Sequence, residues 1–160
     1  MGVTGHELIG RAAPRLRLRD ATGAEFDLAA LWPRKPSVVY FYPKAGTAGC
    51  TAEACAFRDA YEAFTQMGAE VVGVSSDSVQ ELAEFARTNR LPFVLLSDED
   101  GRARREWGVP KDLLVLPGRV TYVVDREGIV RGVFRSAVKM REHAEEAMRL
   151  VRGLAGSPTG

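Results

Sequence analysis

Sulfur and imidazole are scarce in this chain. Among 160 residues there are only two cysteines and two histidines. Two cysteines cannot form the dense disulfide framework of a small secreted scaffold. The histidines, His6 and His143, lie far from Cys50 and Cys55, so no recognisable zinc-ligand spacing is present and metal binding is a weak rival. No apolar run approaches the roughly 20 residues needed to span a bilayer. The opening MGVTGHELIG has no basic segment followed by an apolar one, so no secretory signal is expected. His6 stands where an N-myristoylation pattern wants Ser or Thr. Neither sign of charge dominates: 22 basic residues face 21 acidic ones, for a net charge of +1. That balance gives no electrostatic case for nucleic acid or a membrane surface as partner. Internal repeats and low-complexity linkers are also missing. The expected compartment is the cytoplasm, where an isolated thiol pair is catalytic, redox-active or metal-binding rather than structural.

What is present is one domain's worth of alternating patterns, with a core spanning about residues 12–150 of 1–160. Residues 1–12 and the AGSPTG tail read as loose ends. RLRLRD and EFDL, separated by Ala-Thr-Gly, predict an N-terminal hairpin. SVVYFY (37–42) is a buried central strand. A helix is expected over 50–67, with Ala54, Phe57, Tyr61 and Phe64 forming an apolar stripe and Gly68 ending it. EVVGVSS (70–76) is a second central strand. Ser78-Val-Gln-Glu81 is a capping box opening a helix with Val79, Leu82, Ala83 and Ala86 inward. A strand at 93–96, a short helix near 102–107 and a hairpin of 119–125 with 129–134 follow. A last helix near 139–150 buries Met140, Ala144, Ala147, Met148 and Val151. This order predicts a mixed α/β sheet. The thioredoxin fold has such a plan, and flavodoxin-like plans fit the alternation as well.

The thiols are therefore the informative residues. Cys50 continues the inward stripe of its helix at the first turn, four residues before Ala54. Cys55 falls in register with Asp59, Glu62 and Gln66 on a polar face. At about 100° per residue the two point roughly 140° apart, with Cα atoms about 8–9 Å distant. A disulfide needs Cα atoms within about 7 Å. The pair is thus badly placed for a permanent staple, and well placed for a reaction in which one thiol is oxidised first and the helix then opens. Cys50 sits at a helix N-terminus, where unpaired amides favour a thiolate. Gly46 and Gly49 let the preceding loop approach closely. Thr47, three residues earlier, reads on spacing as a helix cap; its functional alternative is to hold a substrate oxygen. Pro43 either ends the strand or covers the sulfur. Glu53 reads as a favourable first-turn acid. His143 borders the apolar stripe of the last helix and reads as structural or surface.

Pro43-Lys-Ala-Gly-Thr47-Ala-Gly-Cys50 resembles the peroxiredoxin signature of Pro, three residues, Thr, two residues, Cys. The longer FYPKAGTAGCTAEACAFRD is similar to the bacterioferritin comigratory protein, or peroxiredoxin Q, group. APRLRLRDATGAEFDL, VVGVSSDS and GRVTYVVDREGIV extend the resemblance over about residues 12–150. Ala45, Gly46 and Ala48 depart from the acidic, polar or proline residues common there.

The resemblance implies an α/β, thioredoxin-like fold with an N-terminal β-hairpin extension. It implies reduction of hydrogen peroxide and organic hydroperoxides, recycling by thioredoxin or a similar dithiol, and no cofactor. By the same resemblance Cys50 is the peroxidatic cysteine and Cys55 the resolving one. Thr47 would bind the peroxide, Pro43 would shield the sulfur, and Arg119, with Glu53 able to orient it, would favour the thiolate and stabilise charge developing on the O–O bond. An intrachain thiol pair removes the need for a partner's cysteine, so a monomer is expected. The competing readings are a protein disulfide oxidoreductase and a non-catalytic thiol redox sensor. Thioredoxin's own dithiol has two intervening residues rather than four, which disfavours the first.

Overall fold

The computed structural model describes residues 5–109, 111–112, 116–117, 119–136 and 139–155. Its strands are β1 (Arg17–Asp20), β2 (Glu25–Asp27), β3 (Ser37–Phe41), β4 (Glu70–Ser75), β5 (Val94–Ser97), β6 (Lys111–Asp112), β7 (Leu116–Pro117), β8 (Val120–Val124) and β9 (Val130–Arg135). Its α-helices are α1 (Ala48–Gln66), α2 (Val79–Asn89), α3 (Arg102–Glu106) and α4 (Met140–Ala155), and short 3-10 turns cover Gly5–Leu8 and Leu28–Leu31.

All five side chains of β3 are buried, so the strand needs cover on both faces and lies inside the sheet. Among the described residues the sheet runs β2-β1-β5-β4-β3-β8-β9. β3, β4 and β5 are parallel neighbours, while β8 runs antiparallel to β3 and β9 to β8. The hairpin β1–β2 joins the far side through β1 and β5. This is the expected thioredoxin-like α/β plan with an N-terminal hairpin.

Period-2 alternation divides the core. Val38, Tyr40 and Tyr42 face α1, α2 and α4, meeting Ala54, Phe57, Phe64, Leu82, Phe85, Ala144, Ala147 and Val151. Val39 and Phe41 face the other way, toward Leu8, Leu28, Ala103 and Trp107. The Tyr40 ring stacks on Phe57 with centroids 4.3 Å apart. Phe57 is fully buried, and removing such a side chain to alanine costs about 3–5 kcal/mol.

Three expectations need correction. Residues 5–12 are not loose: Leu8 is buried, Gly5 N–H donates to Gly108 O and Gly10 N–H to Val130 O. A single apolar anchor and backbone bonds to distant segments leave no periodic trace in a sequence. In α2 the capping box is formed, but Phe85 is buried and Ala83 is exposed. Phe85 and Leu82 lie three apart on one face, and the larger ring takes the core position. Finally, α4 continues to Ala155; the tail residues 156–160 lie outside the described residues.

Register fixes where chemistry can assemble. Phe41, the last residue of β3, pairs with Val74 near the end of β4 and with Val120 at the start of β8. The segments after Phe41, after Val74 and before Val120 therefore converge at one end of the sheet.

Candidate active site

The loop leaving β3 reaches that end first. Tyr42 N–H donates to Val74 O, and Ala45 N–H donates to Asp77 Oδ2 at 2.6 Å. Asp77 is buried and also accepts from Ser75 Oγ at 2.7 Å. The carboxylate thus ties the loop to the end of β4. Gly46 turns the chain with φ +82°, a region open to glycine. Thr47 follows as the N-cap of α1, with extended φ/ψ.

Thr47 occupies the capping position without doing a cap's side-chain work. Its Oγ1 donates to Lys44 O at 2.9 Å instead of accepting from the helix. The first helical bond comes from its carbonyl, which accepts from Thr51 N–H. The side chain is exposed and Pro43 is half-buried. Helix α1 begins two residues earlier than the stripe alone suggests, so Cys50 lies inside its first turn.

Cys50 is 1 % exposed and Cys55 is half-buried; both are free thiols on one unbroken helix. Lys44 N–H points at Cys50 Sγ from 3.5 Å. Arg119 Nη2 lies 3.5 Å from the same sulfur, and Arg119 Nη1 donates to Glu53 Oε1 at 2.6 Å. Arg119 is buried. Burial works against its charge, but Glu53 and Cys50 outweigh that and hold the guanidinium above its ordinary value.

Close approach here depends on Gly49. A Cβ at that position would lie 2.9 Å from Met140 Cε and 3.3 Å from Arg119 Nη2. The bare backbone admits the guanidinium and α4 together.

Glu53 is fully buried, which exceeds the role of a first-turn acid. Burial pushes its carboxyl up to about 8, against the lowering effect of Arg119's charge and hydrogen bond. Its second oxygen lies 3.4 Å from His143 Nδ1. His143 is also fully buried; Nδ1 is 2.7 Å from Thr121 Oγ1 and Nε2 is 2.8 Å from Ser136 O. Burial lowers the imidazole to about 4; the Ser136 carbonyl opposes this and Arg119 reinforces it. Tyr40 and Tyr42 close the site from β3 and its exit, and burial raises both phenols above their ordinary value.

The structure thus brings Cys50 and Arg119 into contact and places Thr47 and Pro43 on the adjoining loop. Cys55 lies on the same helix, as drawn from the sequence. Asp77, Thr121 and the inward role of His143 are additions. Asp77 in SSDS reads locally as the lead-in to a cap, and nothing near it marks a tie to residue 45.

Known proteins match over most of the chain. The AhpC/TSA family profile matches residues 9–133. The chloroplastic peroxiredoxin Q of Populus jackii is 47% identical over 146 residues, covering 91% of this chain and 68% of that protein. Among solved structures, the peroxidoxin BcpB of Mycobacterium tuberculosis superposes with a TM-score of 0.85 at 38% identity, covering 91% of this chain and 97% of that one. Peroxiredoxin Q of Xanthomonas campestris gives 0.81 at 33% identity, covering 88% and 91%. With a buried thiol at a helix start, an arginine on the sulfur and these likenesses, the chain belongs to the AhpC/TSA family, as a peroxiredoxin of the peroxiredoxin Q and bacterioferritin comigratory protein group.

Proposed function

We propose that this protein is a thiol peroxidase in which Cys50 reduces hydroperoxides and Cys55 resolves the product. Family membership supports the peroxidase class. The observation that carries the residue assignment is the contact of Arg119 with a buried Cys50 at the start of α1.

The Cys50 thiolate attacks one peroxide oxygen. An S–O bond forms as the O–O bond breaks; sulfur is oxidised and the peroxide reduced. The leaving hydroxide or alkoxide takes a proton and departs as water or alcohol, and Cys50 becomes a sulfenic acid. Arg119 and Lys44 N–H place positive charge and a donor beside the reacting sulfur. The Thr47 hydroxyl spends its proton on Lys44 O, so its lone pairs are available to accept the O–H of an incoming hydroperoxide. Pro43 lies on the loop that borders the sulfur and shields it from water.

Cys55 then attacks the sulfenic sulfur, releasing water and forming a disulfide. The intact α1 keeps the two thiols apart, so its first turns must unwind for this step. Thioredoxin or a similar dithiol returns the pair to thiols. Trapped intermediate and ligand complexes of the Xanthomonas campestris bacterioferritin comigratory protein concern alkyl peroxide reduction, which supports an alkyl hydroperoxide as a second substrate beside hydrogen peroxide. A monomer in the cytoplasm completes the reading; it rests on the internal thiol pair and on cysteine usage.

The test is rapid mixing of reduced protein with hydrogen peroxide, followed by mass analysis. Oxidation should start at Cys50, and a 50–55 bridge should follow. Cys50→Ser should abolish peroxide consumption; full turnover by that variant ends the reading. A sensor would oxidise once and turn over slowly, and a disulfide oxidoreductase would prefer protein disulfides to peroxide.

A further inference from the structure

The side of Arg119 turned away from the sulfur presents an unusual pairing. Glu53 Oε1 accepts from Arg119 Nη1. Glu53 Oε2 is buried and has no hydrogen-bond partner among the described residues. It lies 3.4 Å from His143 Nδ1.

The ring's own bonds define its state. Ser136 O, 2.8 Å from Nε2, can only accept, so Nε2 carries a hydrogen. In the neutral ring Nδ1 is then a lone pair, with Thr121 Oγ1 2.7 Å away and Glu53 Oε2 3.4 Å away. An ionised Glu53 would aim a carboxylate oxygen at that lone pair inside a dry core, where such repulsion is costly. One proton on the line between Oε2 and Nδ1 removes the conflict.

We propose that Glu53 and His143 hold one buried proton between them, seated on Glu53 Oε2, and that this neutral pair leaves the positive charge of Arg119 to the Cys50 sulfur. Both are positioning residues that act through Arg119. The inference rests on the reading of Cys50 as the reactive sulfur. The pKa directions agree with the placement: burial raises the acid and lowers the imidazole.

Among the described residues, the groups facing the pair come from β3, α1, β8, β9 and the segment that follows it. Arg119 and Thr121 face it from the start of β8, and Cys50 lies one turn back on α1. Tyr40 and Tyr42 face it from β3 and its exit, with phenols that burial keeps neutral. Around His143 stand Ser136 O and the Phe134 ring, edge-on at 4.8 Å. With the proton in place, thiolate and guanidinium form a balanced buried pair. When it leaves, two anions compete for one cation and the thiolate is disfavoured.

Two measurements test this. In a His6→Gln background, which leaves a single imidazole, nitrogen NMR should show His143 neutral and protonated on Nε2 from about pH 5 to 9. The infrared spectrum should contain a carboxylic-acid carbonyl band that Glu53→Gln removes. An imidazolium at neutral pH, or no such band, overturns the proposal. These readouts need no peroxide, so they stand even if Cys50 proves unreactive. The second measurement is the rate of the first Cys50 oxidation against pH. The parent rate should fall by about fivefold or more from pH 8 to 9.5, and that of Glu53→Gln, whose amide donates to Nδ1 but cannot ionise, by less than about twofold. An unchanged alkaline limb in the variant also overturns the proposal.

Discussion

Arg119 Nη2 stands 3.5 Å from Cys50 Sγ across 69 residues of chain. The same guanidinium reaches Glu53 Oε1 with its other terminal nitrogen. Only a rigid fork can make both contacts from one side chain. Arg119→Lys keeps the charge but must abandon one partner. Its second-order rate constant with hydrogen peroxide should fall about 10²–10³-fold, as when an oriented charge donor is lost from a reacting centre. Stopped-flow fluorescence of Trp107 or Trp32 provides the readout.

Cys55→Ala should complete a first turnover and then stall with a dithiol protein as reductant. Single-turnover and steady-state rates measured side by side separate the two steps. Undiminished steady-state turnover would mean that another thiol resolves the sulfenic acid.

Gly49→Ala separates reactivity from stability. A helical alanine gains about 1 kcal/mol over glycine. The new methyl, 2.9 Å from Met140 Cε, displaces the flexible end of a side chain, which offsets part of that gain. Net stability should stay within about 1 kcal/mol of the parent by urea unfolding. Arg119, 3.3 Å away and tethered to Glu53, must also shift. Peroxide reactivity should then drop about 3- to 10-fold, since small misplacements of a reacting group are costly.

Asp77→Ala strips the loop of its tie. Ala45 N–H and Ser75 Oγ both lose their acceptor. The expected loss is about 2–3 kcal/mol, with faster hydrogen exchange at the Ala45 amide. Asp77→Asn keeps an acceptor oxygen and should lose about half as much.

His143 makes stability depend on pH. Its folded value is depressed to about 4, from about 6.5 in an unfolded chain. The neutral ring therefore contributes stability that is full above about pH 6.5 and is lost as pH falls through about 4. Glu53 has the opposite sign: its raised carboxyl contributes fully below the usual carboxylate range and loses that contribution as pH rises through about 8. From about pH 7 to 4 the two contributions oppose each other in the parent, so the check is the difference: by urea unfolding the parent should lose on the order of 2 kcal/mol relative to His143→Gln over that range.

The sequence revealed what short-range pattern encodes. SVVYF is a short apolar run, and it became a buried interior strand of the sheet. Ala54, Phe57 and Phe64 at helical spacing became the buried face of α1. Ser78 and Glu81 formed their reciprocal cap. Thr47 shows the limit of such reasoning: spacing places it at the N-cap, but the Gly46 turn sends its hydroxyl back to Lys44. Glu53 was visible as a first-turn acid that could orient Arg119, and His143 only as a histidine beside a stripe. Their pairing depends on α4 packing over α1 and β8, and no local pattern records a contact between helices so far apart in the chain.

That distance matters on the ribosome. Translation delivers Cys50 long before the groups that serve it. At about 5–20 residues per second, the 93 residues from position 50 to position 143 take roughly 5–20 s to make. For the first 69 of those residues the nascent sulfur lacks its guanidinium, and for all 93 it lacks its neutral acid–imidazole support. Its reactivity is thus switched on late, when the C-terminal helix docks, and a half-made chain carries an ordinary cysteine past any peroxide it meets.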